Sequence, residues 1–236
     1  MVIPKIIMLT PFPDSSVLTQ FPRDEYKQFT DMTVVGTDNG IELPTNWNLL
    51  ERNHGPILEK AEKIEKKGDC DVLILGCFGD PAIEPVRQVV SMPVLGPGHT
   101  SLAVATMMGR KIGVISIQKD FVILTEQMID ALRFRDHVAG EVRVAEENCA
   151  EMIQTKPDDA VKVMTEVCLK SIRDDGADVV IFGCIGLAWM INRVRDAIAK
   201  QGFRTPIIEP GVTVYRAAKM IAELGLNQDR RKLAVA

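Results

Sequence analysis

The chain has 236 residues, 46% of them hydrophobic and 25% charged, with a mean hydropathy of +0.06. That composition is of an ordinary folded protein able to bury one large core or two smaller ones, and it excludes a disordered or collagen-like chain. A net charge of −4 with scattered Lys and Arg leaves no footprint for nucleic acid, and the opening apolar run, cut by Pro11 and Pro13, is too short for a signal-peptide core or a membrane span. The expectation is a cytoplasmic chain with neither a membrane nor a nucleic-acid partner.

Taken in chain order, short β-branched or Leu-rich runs predict strands over Lys5 to Leu9, Thr33 to Val35, Val72 to Leu75, Ile112 to Ile117, Val142 to Ala145, Val179 to Phe182 and Pro206 to Ile208. Amphipathic spacing predicts helices over Leu49 to Lys67, Ala82 to Val90, Asp120 to Arg133, Pro157 to Arg173, Leu187 to Lys200 and Val214 to Leu224. Strand followed by helix, repeated, is the pattern of an α/β protein with a parallel sheet covered on both faces. The charged run Glu59 to Lys67 reads as a solvated helix face, and the tail after Gly225 as loosely attached.

The chain also resembles itself. Asp71-Val-Leu-Ile-Leu-Gly-Cys-Phe-Gly79 aligns without gaps on Asp178-Val-Val-Ile-Phe-Gly-Cys-Ile-Gly186, with six of nine positions identical. Lys5 to Thr10 matches Lys111 to Ser116, and Pro93-Val-Leu-Gly-Pro-Gly-His-Thr100 matches Pro206-Ile-Ile-Glu-Pro-Gly-Val-Thr213. Offsets of 106, 107 and 113 residues are far longer than a solenoid unit, so the repeat predicts two pseudo-symmetric Rossmann-like halves. Residues 1–97 with 208–236 are expected to form the first half and 98–207 the second.

Five cysteines, Cys70, Cys77, Cys149, Cys168 and Cys184, form no CxxC pair and no zinc spacing, so free thiols are expected. A single such Cys is most simply a small buried apolar residue. The matched placement of Cys77 and Cys184, each just past a buried strand, favours a catalytic reading for these two; Cys70, Cys149 and Cys168 lack repeat partners and read as structural. Ligands bind beyond the carboxyl ends of parallel strands, and facing halves would set both thiols across one cleft. Asp80 is expected to cap the following helix, with Pro81 at its first position, and the helix starts after each Cys would favour a thiolate and hold anionic oxygen. Inverting a carbon centre takes a base on one face and an acid on the other, which two equivalent thiols can supply without a metal, nicotinamide or pyridoxal phosphate. No cofactor and no metal are expected.

Gly76-Cys-Phe-Gly-Asp-Pro81, Gly183-Cys-Ile-Gly186 and the 107-residue spacing resemble the aspartate/glutamate/hydantoin racemase superfamily, the first stretch being most similar to its hydantoin and allantoin racemase branch. The resemblance spans nearly the whole chain. It implies two Rossmann-like halves, cofactor-free racemisation of an amino acid or cyclic ureide by Cys77 and Cys184, an active site in the cleft between the halves, and a homo-oligomer. One departure is Thr10-Pro-Phe-Pro-Asp14, where hydantoin racemases usually carry an Asn-Pro-Asn type loop.

The expected substrate-binding set is Thr10, Pro11, Phe78, Gly79, Asp80, Ser116, Ile185 and Gly186. Thr10 and Ser116 sit at matched strand ends, where a hydroxyl either bonds a substrate oxygen or merely ends the strand. His99, placed by the sequence in a loop before a helix, faces Val212 in the repeat and has no symmetric role; a structural place is favoured, and His54 and His137 carry no spacing signal. Competing readings are maleate isomerase or arylmalonate decarboxylase chemistry on the same scaffold, and a non-catalytic binder of a small carboxylate. The decarboxylases of this superfamily keep only the second-half Cys, so Cys77 argues against them.

Overall fold

The computed structural model describes residues 4–13, 32–41, 46–145 and 149–229. Within them, β1 (Ile6–Leu9), β2 (Met32–Val35), β3 (Val72–Leu75) and β4 (Val94–Leu95) form one parallel sheet in the order β2-β1-β3-β4. A second parallel sheet, in the order β6-β5-β7-β8, is built from β5 (Ile112–Ser116), β6 (Arg143–Val144), β7 (Val179–Phe182) and β8 (Ile207–Ile208). The same order twice is the architectural form of the sequence repeat. Every residue of β3, β5 and β7 is buried, as expected for central strands covered on both faces.

The helices are α1 (Trp47–Glu51), α2 (His54–Lys67), α3 (Ile83–Val89), α4 (Pro97–Met108), α5 (Val122–Ala131), α6 (Cys149–Thr155), α7 (Pro157–Asp174), α8 (Ala188–Lys200) and α9 (Pro210–Glu223). In α2, Ile57, Ala61 and Ile64 recur at helical spacing and pack into the core that holds Leu73 and Leu75. Each fully buried Ile there contributes about 1.5–3 kcal/mol. The helix stops at Gly68, whose φ of 61° lies in the left-handed region that glycine enters freely.

The chain divides into two compact units, Met1–Pro97 with Gly211–Ala236, and Gly98–Pro210. The chain therefore passes from one unit to the other at the starts of α4 and α9.

Several elements differ from the sequence reading. The helix expected over Leu49 to Lys67 is two helices, broken at Asn53, whose φ of −89° and ψ of 0° leave the helical path. Asn53 is fully buried; its amide donates to the carbonyls of Pro11 (2.6 Å) and Ile41 (2.9 Å), and its Oδ1 accepts from the Ile41 N–H (2.8 Å). That clamp ties together the loops after β1 and β2. The helix expected to follow the His99 loop, α4, starts earlier, at Pro97; PGHTSLAVATMM is largely apolar with no clear period to mark its bounds, and β4 before it is only two residues long. Helix α6 was missed. His99 consequently lies in the first turn of α4 and not in a loop, with its ring 6.1 Å from that of Phe134. The stretch after Gly225 is partly tethered, since the Gln228 amide donates to Met92 O at 2.7 Å; residues 230–236 lie outside the described part.

The conserved-by-repeat aspartates have a common task. Asp71 accepts from the Lys5 N–H at 2.7 Å, and Asp178 accepts from the N–H groups of Arg110 and Lys111 at 2.9–3.0 Å, so each carboxylate at the foot of β3 or β7 grips the chain entering the neighbouring central strand. Gly109 is bare where the Asp178 carboxylate lies. Burial opposes ionisation of Asp178, but the N–H groups of Arg110 and Lys111 outweigh it and hold the carboxyl below its usual range. A depressed folded value means stability present at neutral pH and lost as the pH falls through it. Asp178→Ala is expected to cost about 1 kcal/mol at pH 7 in a urea titration, with the difference from the parent closing below about pH 4.

Candidate active site

Both candidate thiols stand at the carboxyl end of the strand next to the first strand of their sheet. Gly76, just past β3, donates its N–H to Leu9 O at 2.7 Å, and Gly183, just past β7, donates to Ile115 O at 2.6 Å. A side chain would be crowded at both. A Cβ on Gly183 would come within 2.8 Å of Ile115 O, and one on Gly76 within 3.0 Å of the Met8 Cγ and 3.3 Å of Leu9 O. The glycine of each Gly-Cys pair is thus set by the close approach of the adjacent strand, and the cysteine follows at a fixed place.

The loops then diverge. In the first half, Asp80 N–H donates to Cys77 O at 3.1 Å and closes a turn, and both Asp80 (φ 49°) and Ala82 (φ 56°) adopt left-handed backbone. Helix α3 begins only at Ile83, so Asp80 is not its cap and Pro81 is not its first residue, contrary to the sequence reading. The residue at the cap is Ala82, with no side chain to offer. Asp80 is instead buried, and its carboxylate fills the space above Gly96, the residue that precedes α4. In the second half the left-handed residue is Gly186 (φ 87°), followed by Leu187 at the start of α8. The Cys184 thiol donates to Ile185 O at 3.0 Å.

The two cysteine residues keep partial exposure, while Phe78 and Ile185 beside them are buried. Burial pushes the Cys77 thiol up to about 11; the Gly79 N–H pulls the other way, and the Asp80 charge adds to the rise. This is opposite to the near-neutral thiolate expected from a helix start, and it leaves Cys77 protonated at neutral pH. Cys70 is raised to about 12, chiefly by burial, and Cys168 is raised by burial as well. Cys149 and Cys168 are fully buried.

Thr10 and Ser116 occupy equivalent places, and each hydroxyl donates to a backbone carbonyl two residues on: Thr10 to Phe12 O at 3.0 Å, Ser116 to Gln118 O at 2.7 Å. Both residues are buried. Each hydroxyl has one proton, and each proton is already used to shape the turn after its strand, so in this arrangement neither offers a donor to a substrate oxygen. Pro11 is buried, its carbonyl held by Asn53. Asp80 likewise has its N–H committed to Cys77 O. Asn53 and Gly96 are the residues that sequence reasoning missed; a polar residue interrupting an apolar stripe and a glycine replaced by Glu209 in the repeat were the available signals. Among the described residues no group of three or more His, Cys, Asp or Glu is placed to hold a metal ion, and no helix is long and apolar enough to cross a membrane.

Two parallel α/β sheets of identical order, each delivering a cysteine from its third strand in sequence, define the class of fold. The model of the Asp/Glu/Hydantoin racemase family matches residues 19–222, and the chain belongs to that family. It is 22% identical over 176 residues, 75% of this chain and 68% of the relative, to a hydantoin racemase of a Pseudomonas species. Among solved structures it is similar to allantoin racemase of Pseudomonas fluorescens, with a TM-score of 0.84 at 17% identity covering 98% of this chain and 97% of that one. Allantoin racemase of Klebsiella pneumoniae gives a TM-score of 0.81 at 17% identity, over 94% and 89% of the two chains. At such identity these likenesses establish the fold, which is the one read from the repeat.

Gly183→Ala is expected to cost more than Gly76→Ala, since it meets backbone where the other meets a flexible Met side chain: about 2 kcal/mol or more against about 1 kcal/mol by chemical denaturation. In the resting protein at pH 8, iodoacetamide should label Cys77 markedly more slowly than an unperturbed thiol, with labelling rising toward pH 11 as read by peptide mass spectrometry.

Proposed function

We propose that this racemase-family protein inverts a carbon stereocentre without a cofactor, by two-base proton transfer between Cys77 and Cys184. The observation that carries the reading is the equivalence of the two Gly-Cys junctions, in which the same hydrogen bond holds the glycine and a thiol follows at the same end of the same strand in each sheet. The thiolate of one cysteine takes the proton from carbon, and the electron pair of the broken C–H bond passes onto the adjacent carbonyl oxygen. The thiol of the other returns a proton to the opposite face, and the pair ends with thiol and thiolate exchanged. Nothing is oxidised or reduced. Cys77, whose thiol is raised by burial, holds its proton at rest and can start as the acid.

Backbone N–H groups after each cysteine, at Phe78 and at Ile185, are the proposed donors to the developing enolate oxygen, since the Thr10 and Ser116 protons and the Gly79 N–H are already engaged. The substrate class is a cyclic ureide, a 5-substituted hydantoin or allantoin, with amino acids as the wider family's alternative. Its support is the likeness to hydantoin and allantoin racemases reported above. The raised Cys77 thiol suits such a substrate: the donor must hold its proton until an enolate of comparable basicity forms beside it.

Cys77→Ser and Cys184→Ser should each lower racemisation of a single-enantiomer 5-substituted hydantoin or allantoin by about 100-fold or more, followed polarimetrically. Full turnover in either variant would end the two-thiol reading.

A further inference from the structure

The charged run Glu59 to Lys67, read from the sequence as a solvated helix face, borders a groove between α2 and the edge strand β2. Two adjoining hollows, one of about 380 Å³ and one of about 370 Å³, share Lys60, Ile64 and Lys67, and Cys77 lines neither. Each is of the size that takes a small molecule, roughly 300–1,000 Å³. The floor is apolar. Ile7, Thr33 and Val35 share one face of β1 and β2, and half-buried Ile7 and Val35 pack against the core cluster that contains Ile64. Helix α2 covers Leu73 and Leu75 on that face and leaves its β2 edge open to the groove.

The rim is cationic. Lys5, Lys60 and Lys67 line the first hollow and Lys63 and Lys66 join at the second, against two carboxylates, Asp69 and Asp38. That is an excess of three positive charges in a chain whose net charge is −4. Asp69 pairs with Lys5, and Asp38 accepts from both Lys60 and Lys63, at 2.8 Å from the latter, which together hold its carboxyl down to about 2. Asp38 is thus an anion of the chain's own set between two ammonium groups. Among the described residues Lys66 and Lys67 have no such partner. Their place in the last turn of α2 suits the helix dipole, but that does not account for Lys60, whose side chain is drawn in to 23% exposure in mid-helix.

We propose that this groove binds a small organic phosphate, its phosphoryl oxygens among Lys60, Lys63 and Lys67 and its organic part on Ile7, Val35 and Ile64. Every cation is a lysine, a point charge that suits the several oxygens of a phosphate; a planar carboxylate is better met by the fork of an arginine. The ligand takes over the role that Asp38 fills at rest, so Asp38 competes with it.

Phenyl phosphate, inorganic phosphate and benzoate, each titrated calorimetrically into the full chain, test the assignment. Phenyl phosphate should bind roughly tenfold more tightly than either of the others, having both the charge and the apolar body. Lys60→Ala and Lys67→Ala should each weaken it about tenfold, and Asp38→Asn, which removes the resident anion, should tighten it several-fold. Lys67 is exposed, so its variant retains the fold. Absence of binding, benzoate bound as well as phenyl phosphate, or an affinity indifferent to Lys67→Ala or lowered by Asp38→Asn would overturn the proposal. Cys77→Ser should bind phenyl phosphate as the parent does; a loss there would put the anion at the proposed active site and contradict this one. Binding in the groove is measured without turnover, so its failure and the failure of the racemase reading are told apart.

Discussion

The constraint on which the site depends is the contact between the residue before each cysteine and the carbonyl that ends the neighbouring central strand. With a nitrogen-to-carbonyl oxygen distance of 2.7 Å at Gly76 and 2.6 Å at Gly183, a Cβ at Gly183 would press on the backbone of the neighbouring strand, and one at Gly76 on the Met8 side chain. Packing favours glycine at both places, and the hydrogen bond fixes where the next residue leaves the sheet. Asp71 and Asp178, at the opposite ends of the same strands, grip the chain entering β1 and β5 and so set the register on which that contact relies. Both ends of the repeated motif are thus explained by how one strand is held against its neighbour, and the cysteine between them inherits a defined position.

Duplication has kept the scaffold and altered the surroundings. Strand order, the Gly-Cys junctions and the hydroxyl that turns the chain after β1 and β5 are the same in both halves. The loops after the cysteines are not: one carries left-handed Asp80 and Ala82, the other a left-handed glycine. Beside the first of these loops the Cys77 thiol is raised, chiefly by burial, and so holds its proton before substrate arrives.

Much of this was legible in the sequence because it rests on strongly marked local features. The apolar runs of β3 and β7 have no other stable location than a sheet interior, and the ungapped match around Cys77 and Cys184 exposes the duplication. What could not be read depends on contacts between distant residues. Asn53 breaks a helical pattern because its amide is needed forty residues back at Pro11; the bounds of α4 hide in a largely apolar run; and Asp80 looks like a cap until Gly96 is seen to leave space for it. The Thr10 and Ser116 hydroxyls lie at strand ends as read from the sequence, but that their protons serve the backbone depends on how each turn folds back.

The direct test of the proposed chemistry is isotopic. A single enantiomer of a 5-substituted hydantoin is incubated with the unmodified protein in deuterium oxide, and both enantiomers are analysed by mass at low conversion. Two opposed thiols predict product carrying one deuterium at the stereocentre while remaining substrate carries none. Product that retains the original hydrogen, or equal labelling of substrate and product from the outset, would contradict transfer between two separate sulfurs.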